Sequence, residues 1–414
     1  MKKLGAAITA IIVLIVVCLC SCVRHNEDIL ADKYENIAAS AGYVDTDGHA
    51  IKQSAAMSGD DGDAIILDLG TARTFNSLVL IQRTETITHI AVETVKDGVT
   101  TVIYDKDKSG SMIFCDFDSN VWAESVRITV SGDKWALSQL SLYDLPPQAC
   151  YDTVLVSADD IIAGKCDDMS LALADSIIVL SDLGYNSYGN IYSKERATEQ
   201  FISAVDILKA QLEVLDNSDA DIIAALNPVY DPEIDTTDDL KYLRYKAMAK
   251  FPYALINGMM SLAREHGLAG VSFDLTDGLD EASSQLYIST FFSYVKMENP
   301  KFKIFITADY TRGLQGAIKL GTAASQIFRQ GYSVPECADR ILFKSFSQEF
   351  YVDIGKIAQV CKEEYRNKIS IISDSFEGEA EIRERRSYLK ACGLGSAADT
   401  TIAPIEEITG SQSK

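Results

Sequence analysis

The sequence predicts two folded parts in tandem: a β-sandwich or jelly roll over residues 48–145, then a (β/α)8 TIM barrel over residues 146–404. Three observations predict this. Short β-rich runs crowd the first part, separated by turn signals, and strands at that density fold as a sandwich or jelly roll. Apolar strand-like runs then alternate with helical patterns over about 260 residues, the usual size of a (β/α)8 barrel. Pro146-Pro147 stands where one pattern gives way to the other.

Composition narrows the function classes. At 414 residues two domains are the natural prior. The chain is 47% hydrophobic and 24% charged, an ordinary globular balance. Sixty acidic against 38 basic residues give a formal charge of −22. That surface repels phosphates and excludes nucleic acid as a partner. It suits a neutral or cationic ligand. His25, His49, His89 and His266 are the four histidines. None falls at a strand end of the barrel, which argues against a Ser-His-Asp or Cys-His site. Cys115, Cys150, Cys166, Cys337, Cys361 and Cys392 show no C-x-x-C spacing, so no metal site is expected. They are either free thiols or form one or two disulfides. No Gly-rich phosphate loop follows the first barrel strand, and no cofactor is implied.

The N-terminus begins with the basic Met1-Lys2-Lys3 and continues with an apolar run over residues 4–17. Leu19-Cys20-Ser21-Cys22 follows and resembles the bacterial lipobox, a small residue before a cysteine. The resemblance implies a lipoprotein signal peptide over residues 1–22 and diacylation of the Cys22 thiol. It also implies an exported protein, lipid-anchored to the bacterial cell membrane or the outer membrane. Bulky Leu19 makes Cys20 the poorer site. The other reading is an uncleaved signal anchor, although the apolar run is short for a spanning helix. Residues 23–47 are polar and read as a tether.

In the first part the candidate strands are residues 64–69, 77–81, 90–95, 101–104, 112–117, 126–130 and 137–143. Lys96-Asp97-Gly98 and Ser131-Gly132-Asp133 are turns. Asp68-Leu69-Gly70, the run Phe75 to Leu80, the hairpin Ile90 to Gly98, Val126-Arg127-Ile128 and Trp135 to Tyr143 follow one another in the order of a known family. They resemble the discoidin, or factor V/VIII type C, domain. The resemblance implies a galactose-binding-like jelly roll that either binds carbohydrate or serves as a spacer. Trp122 and Trp135 are the only tryptophans. Trp135 falls in a closing strand and reads as core. Trp122 is the candidate ligand contact, since sugars stack on exposed aromatic rings.

In the second part the strands are residues 153–157, 176–180, 221–226, 270–275, 303–307, 340–344, 368–372 and 398–402. Helical spacing marks residues 197–215, 240–266, 283–297, 354–365 and 379–392. Gly267 is expected to cap the helix ahead of the fourth strand. The carboxyl ends of parallel strands are where such folds place chemistry. There the sequence offers Asp182, Asn227, Asp274, Asp277, Asp309, Asp374 and Glu377. Each acid can equally cap the next helix or start a turn. Asp274 and Asp277 crowd one loop, and crowded carboxyls raise one another's pKa, as a proton donor requires.

The register Gly270-Val271-Ser272-Phe273-Asp274-Leu275-Thr276 resembles the fourth strand of glycoside hydrolase family 18, the chitinase-like barrels. The resemblance implies that Asp274 orients a substrate acetamido group. Thr276 stands where that family has its catalytic glutamate. Leu342-Phe343-Lys344-Ser345-Phe346 stands where it has a tyrosine and an acid, and no tryptophan follows Trp135. Tyr185 and Tyr310, with Tyr188, Tyr192 and Tyr230, are the aromatic residues left for a sugar. Two glycan-directed functions remain open, beside a purely structural or adhesive lipoprotein. One is a glycan-binding protein with a degenerate catalytic motif. The other is a glycosidase acting on an N-acetylglucosamine-containing glycan through Asp274 and Asp277. The expected partner is a chitin-like glycan, peptidoglycan or host N-glycan. Asp182, Tyr185, Asn227, Asp309, Tyr310 and Trp122 are the expected ligand contacts.

Overall fold

The computed structural model describes residues 28–146, 152–193, 197–276, 282–309, 337–344, 350–360, 363–373 and 379–399. The chain forms two compact units, built mainly on residues up to Leu145 and from Pro146 onward.

The first unit is a seven-stranded antiparallel sheet. The short runs expected at 64–69 and 77–81 are two halves of one strand, Ala64–Gln82. Those at 112–117 and 126–130 are halves of Met112–Gly132. The two long strands pair along their length, with register shifts between Asp68 and Arg73 and between Phe75 and Ser77. Bulges bend a strand and raise its twist, so the halves take different neighbours. Residues 77–82 pair with Trp135–Tyr143, whereas residues 66–68 pair with Gly42–Val44. One core gathers Leu67, Phe75, Leu80, Ile90, Ile128 and Trp135 from these strands. Each such side chain contributes roughly 1.5–3 kcal/mol of transfer free energy. Trp135 is 2% exposed and its Nε1 donates to the Asp60 carbonyl at 2.8 Å, which confirms its core role. Asp97 and Gly98 have φ of 50° and 74°. Lys96 lies opposite Val99 across them, the two-residue hairpin turn that positive φ at both positions permits.

The polar segment expected as a tether is folded from Asp28 onward. Leu30, Ile37, Ala38 and Tyr43 are buried. Asp28 accepts from the Leu30 N–H at 3.1 Å and the Tyr143 hydroxyl at 2.5 Å. Asn36 accepts from the N–H groups of Ala38 at 3.0 Å and Leu142 at 3.1 Å. Leu30, Ile37, Ala38 and Tyr43 are the segment's apolar anchors, and Ala31 and Ala39 are exposed. Its polar residues satisfy backbone donors that would otherwise be stranded.

The second unit is a closed barrel of eight parallel strands in sequence order. They are Asp152–Ser157, Ser176–Leu180, Asp221–Ala225, Gly270–Asp274, Lys303–Asp309, Arg340–Lys344, Ile369–Ser373 and Gly395–Asp399. Leu155, Ile178, Ile223, Phe305, Leu342, Ile372 and Ala397 form the apolar cluster within it. Helices Ala197–Val214, Pro252–His266, Ala282–Glu298, Phe350–Val360 and Glu379–Cys392 lie between successive strands. The connection after the fifth strand lies outside the described residues.

Two expectations are corrected. The helix read over residues 240–266 is broken into Leu240–Tyr245, a π turn at Lys246–Lys250, and Pro252–His266. Pro252 has no N–H to continue the ladder, and Phe251 ahead of it sits at φ −126° and ψ 42°, outside the helical region. The eighth strand is Gly395–Asp399, not residues 398–402. Its small side chains give little strand signal. It forms because the seventh strand and the first strand flank it, and the Ser396 hydroxyl donates to Asp152.

Candidate functional site

Gly267 ends the helix before the fourth strand in the left-handed conformation, φ 60° and ψ 40°, with its N–H on the Ala263 carbonyl. The chain then enters Gly270–Asp274. A Cβ at Gly270 would stand 1.9 Å from the Lys303 carbonyl oxygen, so the fifth strand packs against bare backbone there. Side chains alternate along a strand. Val271 and Phe273 are buried, and Phe273 packs on Phe291 and Phe292 of the following helix, with ring centroids at 6.1 and 5.7 Å. Ser272 pairs in register with Phe305, a member of the interior cluster. Ser272 and Asp274 therefore share the interior-facing parity, and Asp274 stands at the carboxyl end.

Asp274 is held from several sides. Its N–H donates to Asn227 Oδ1 at 2.9 Å. Its Oδ1 accepts from the Thr276 N–H at 3.0 Å, a turn that aspartate favours. Its carbonyl accepts from the Arg244 guanidinium at 3.0 Å. Arg244 is 3% exposed and comes from helix Leu240–Tyr245, which Asp239 caps by accepting from the Lys241 and Tyr242 N–H groups.

The sixth strand supplies the charged partner. Leu342 belongs to the interior cluster, and Lys344, two residues on, has the same parity. Its Nζ lies 3.6 Å from Asp274 Oδ2, reaching past the fifth strand, whose Thr307 is in register with both Asp274 and Leu342. The two side chains are 32% and 38% exposed. An ion pair this open to water is worth roughly 0–1 kcal/mol, so a ligand that separates it gives up little. The described residues thus present an ammonium, a carboxylate and a carboxamide at one end of the barrel. They can hold a polar ligand that both donates and accepts. Thr276 offers no proton donor near neutral pH.

The expected contacts divide. Asn227 and Asp274 are brought together. Asp309 ends the fifth strand, and its Cα is the register partner of Lys344. Asp182 is exposed just after the second strand. Tyr185 is corrected: it is fully buried, with its ring edge-on to Phe273 at 6.2 Å, because strand Leu183–Tyr185 folds beneath the surface to pair with Asn227–Pro228. It packs in the core. Trp122, in the first unit, is 54% exposed, and Lys96 Nζ sits 3.5 Å from its ring centroid. One ring face is therefore covered by an ammonium. Asp277, Tyr310 and Cys22 lie outside the described residues, as do Asp374 and Glu377.

Lys344 and Arg244 were not among the expected contacts. The alternation Arg340, Leu342, Lys344 carries a signal for the first. Arg244 lies on a helix in a long connection, where no local pattern points to the strand end.

No family model matches the chain, and no curated protein matches it. Among solved structures, the GH18 chitinase ChiB of Flavobacterium johnsoniae is similar at 11% identity with a TM-score of 0.42, over 61% of this chain and 88% of that one. The C-terminal domain of Legionella pneumophila ChiA is similar at 12% identity with a TM-score of 0.38, over 56% and 78%. A family 32 carbohydrate-binding module from C. perfringens NanJ, solved with galactose, is similar at 23% identity with a TM-score of 0.20, over 21% and 69%. With TM-scores below 0.5, these likenesses do not by themselves assign a function or a family.

Proposed function

We propose that the chain is a surface-anchored lipoprotein whose barrel binds a glycan without cleaving it. The observation that carries this reading is the pairing of Asp274 with Lys344 at 3.6 Å. Glycoside hydrolysis needs two carboxyls, or one carboxyl with a substrate acetamide and a proton donor. Here the described charged partner of Asp274 is an ammonium, and Thr276 occupies the position at which the family resemblance expects the glutamate. The barrel takes the (β/α)8 form in this reading, and the antiparallel unit is a galactose-binding-like jelly roll. Cys22 carries the lipid.

The test uses the full chain in detergent with chitin oligomers, peptidoglycan fragments and N-glycans. Calorimetric binding is measured beside reducing-end release. Binding without release, weakened by Asp274→Asn, is the expected result. Release by the unaltered chain would overturn the reading in favour of the hydrolase with Asp274 and Asp277. Neither release nor binding would end both glycan readings.

A further inference from the structure

We infer that the barrel site selects a glycan bearing a carboxylate, and that Lys344 is the residue that selects it. The inference rests on the glycan-binding reading and names the ligand class for that site. Lys344 Nζ approaches Asp274 Oδ2 only to 3.6 Å, at the long edge of an ion pair and beyond a good hydrogen bond. An ammonium has three donors and no acceptor. A neutral sugar offers it only hydroxyl oxygens. A carboxylate offers a charge-assisted bond, about twice as strong as a neutral one.

The neighbouring groups set the rest of the pattern. Asp274 Oδ1 is engaged by the Thr276 N–H, and Oδ2, which faces Lys344 Nζ, accepts from a ligand N–H or O–H once the ammonium turns to the ligand. Asn227 Oδ1 is engaged by the Asp274 N–H, and its Nδ2 has no hydrogen-bond partner among the described residues, so it can donate. The matching ligand carries a carboxylate for Lys344, an amide N–H for Asp274 and an oxygen acceptor for Asn227. An N-acylated amino sugar with an acid substituent has all three.

The formal charge of −22 works against an anion at long range. Screening limits that field to about 8 Å at physiological ionic strength. At contact, the ammonium within hydrogen-bond reach outweighs it. The two effects separate in salt: the repulsion fades as salt rises, whereas the short contact is screened much less.

The full chain in detergent is titrated with an N-acetylmuramic acid disaccharide, and with the same disaccharide whose carboxyl is amidated. The acid form is expected to bind roughly tenfold more tightly, as one hydrogen bond to a charged group allows. Lys344→Met should remove the preference, bringing the acid form down to the affinity of the amide form for that same variant, and Lys344→Arg should retain it. A circular dichroism melt checks that each variant is folded. Equal binding of the two forms by the unaltered chain overturns the inference and leaves the glycan-binding reading standing. A preference that survives in folded Lys344→Met overturns the role of Lys344. Binding of neither form overturns the inference, and the glycan-binding reading then falls only if chitin oligomers and N-glycans also fail to bind.

Discussion

At residue 276 a threonine stands beside a well-held aspartate, and the chemistry of the site turns on that difference. Asp274 is fixed by bonds from its own N–H, its carboxylate and its carbonyl, so a carboxyl introduced next to it would meet an organised partner. Thr276→Glu, alone and combined with Lys344→Tyr, is therefore expected to raise reducing-end release from chitin oligomers above that of the unaltered chain. No gain in folded, glycan-binding variants would show that the register to the chitinase-like strand is wrong. His89 offers a separate residue-scale test. Its ring nitrogens lie 2.9 Å from Asp107 and 2.8 Å from Asp105, and those bonds, Asp107 first, hold it above its ordinary value. A raised folded-state value favours the charged form in the fold. The stabilisation is then full below the unfolded value near 6.5 and is lost as pH rises through the folded value. The melting temperature of the unaltered chain should fall relative to His89→Gln over that rise, and parallel profiles would remove the linkage. The place of Asp274 at a strand end was legible because it ends an apolar run. Tyr185 was misread because a tyrosine after a strand looks exposed until the strand pairing that buries it is known.

Elements show where local pattern was sufficient and where it was not. Strands Ser176–Leu180 and Arg340–Lys344 and helix Glu379–Cys392 match their expected bounds, since periodicity and flanking polar residues agree there. The helix after the third strand was read through Pro252, because apolar periodicity continues on both sides of the break. Gly270 joins two strands by absence of a side chain. Gly270→Ala would push a Cβ to within 1.9 Å of the Lys303 carbonyl. It is expected to cost about 3 kcal/mol, at the upper end of overpacking, measured by urea unfolding; a loss below the error of the fit would contradict this close approach. The segment from Asp28 makes a second element-scale prediction. Asp28→Ala strands the buried Tyr143 hydroxyl and the Leu30 N–H and should cost about 1–3 kcal/mol, with cleavage by trypsin near Lys33 appearing first. Asp28→Asn, which keeps an acceptor, should lose less.

At the scale of the whole chain, the folding of Asp28 shortens the link to the proposed anchor. Residues 23–27 separate Cys22 from Asp28, and five residues span at most about 18 Å when extended. The first unit would then lie close to the bilayer, with no long tether above it. Cys22→Ser in a bacterial host is expected to move the protein from the membrane pellet to the soluble fraction and to abolish palmitate incorporation. Retention of both would place the lipid elsewhere or remove it. The barrel closes by pairing of the eighth strand with the first, and polar contacts gather at the amino ends of its strands, where Arg386 and Ser396 meet Asp152 and Lys303 meets Asp221. Its carboxyl ends are left for Asp274 and Lys344.

The sequence by itself determined the two-part order, the antiparallel and parallel strand content, and the placement of Asp274 at a strand end. These follow from periods of two and 3.6 and from turn residues, which act over a few neighbours. Tertiary structure decided that residues 64–82 form one bent strand, that Gly395–Asp399 closes the barrel, and that Asn227, Arg244 and Lys344 converge on Asp274. Those outcomes depend on strand register and barrel closure. These bring residues 30 and 47 positions away onto Asp274, and residues 244 positions apart together at the barrel seam, and no local pattern encodes that meeting.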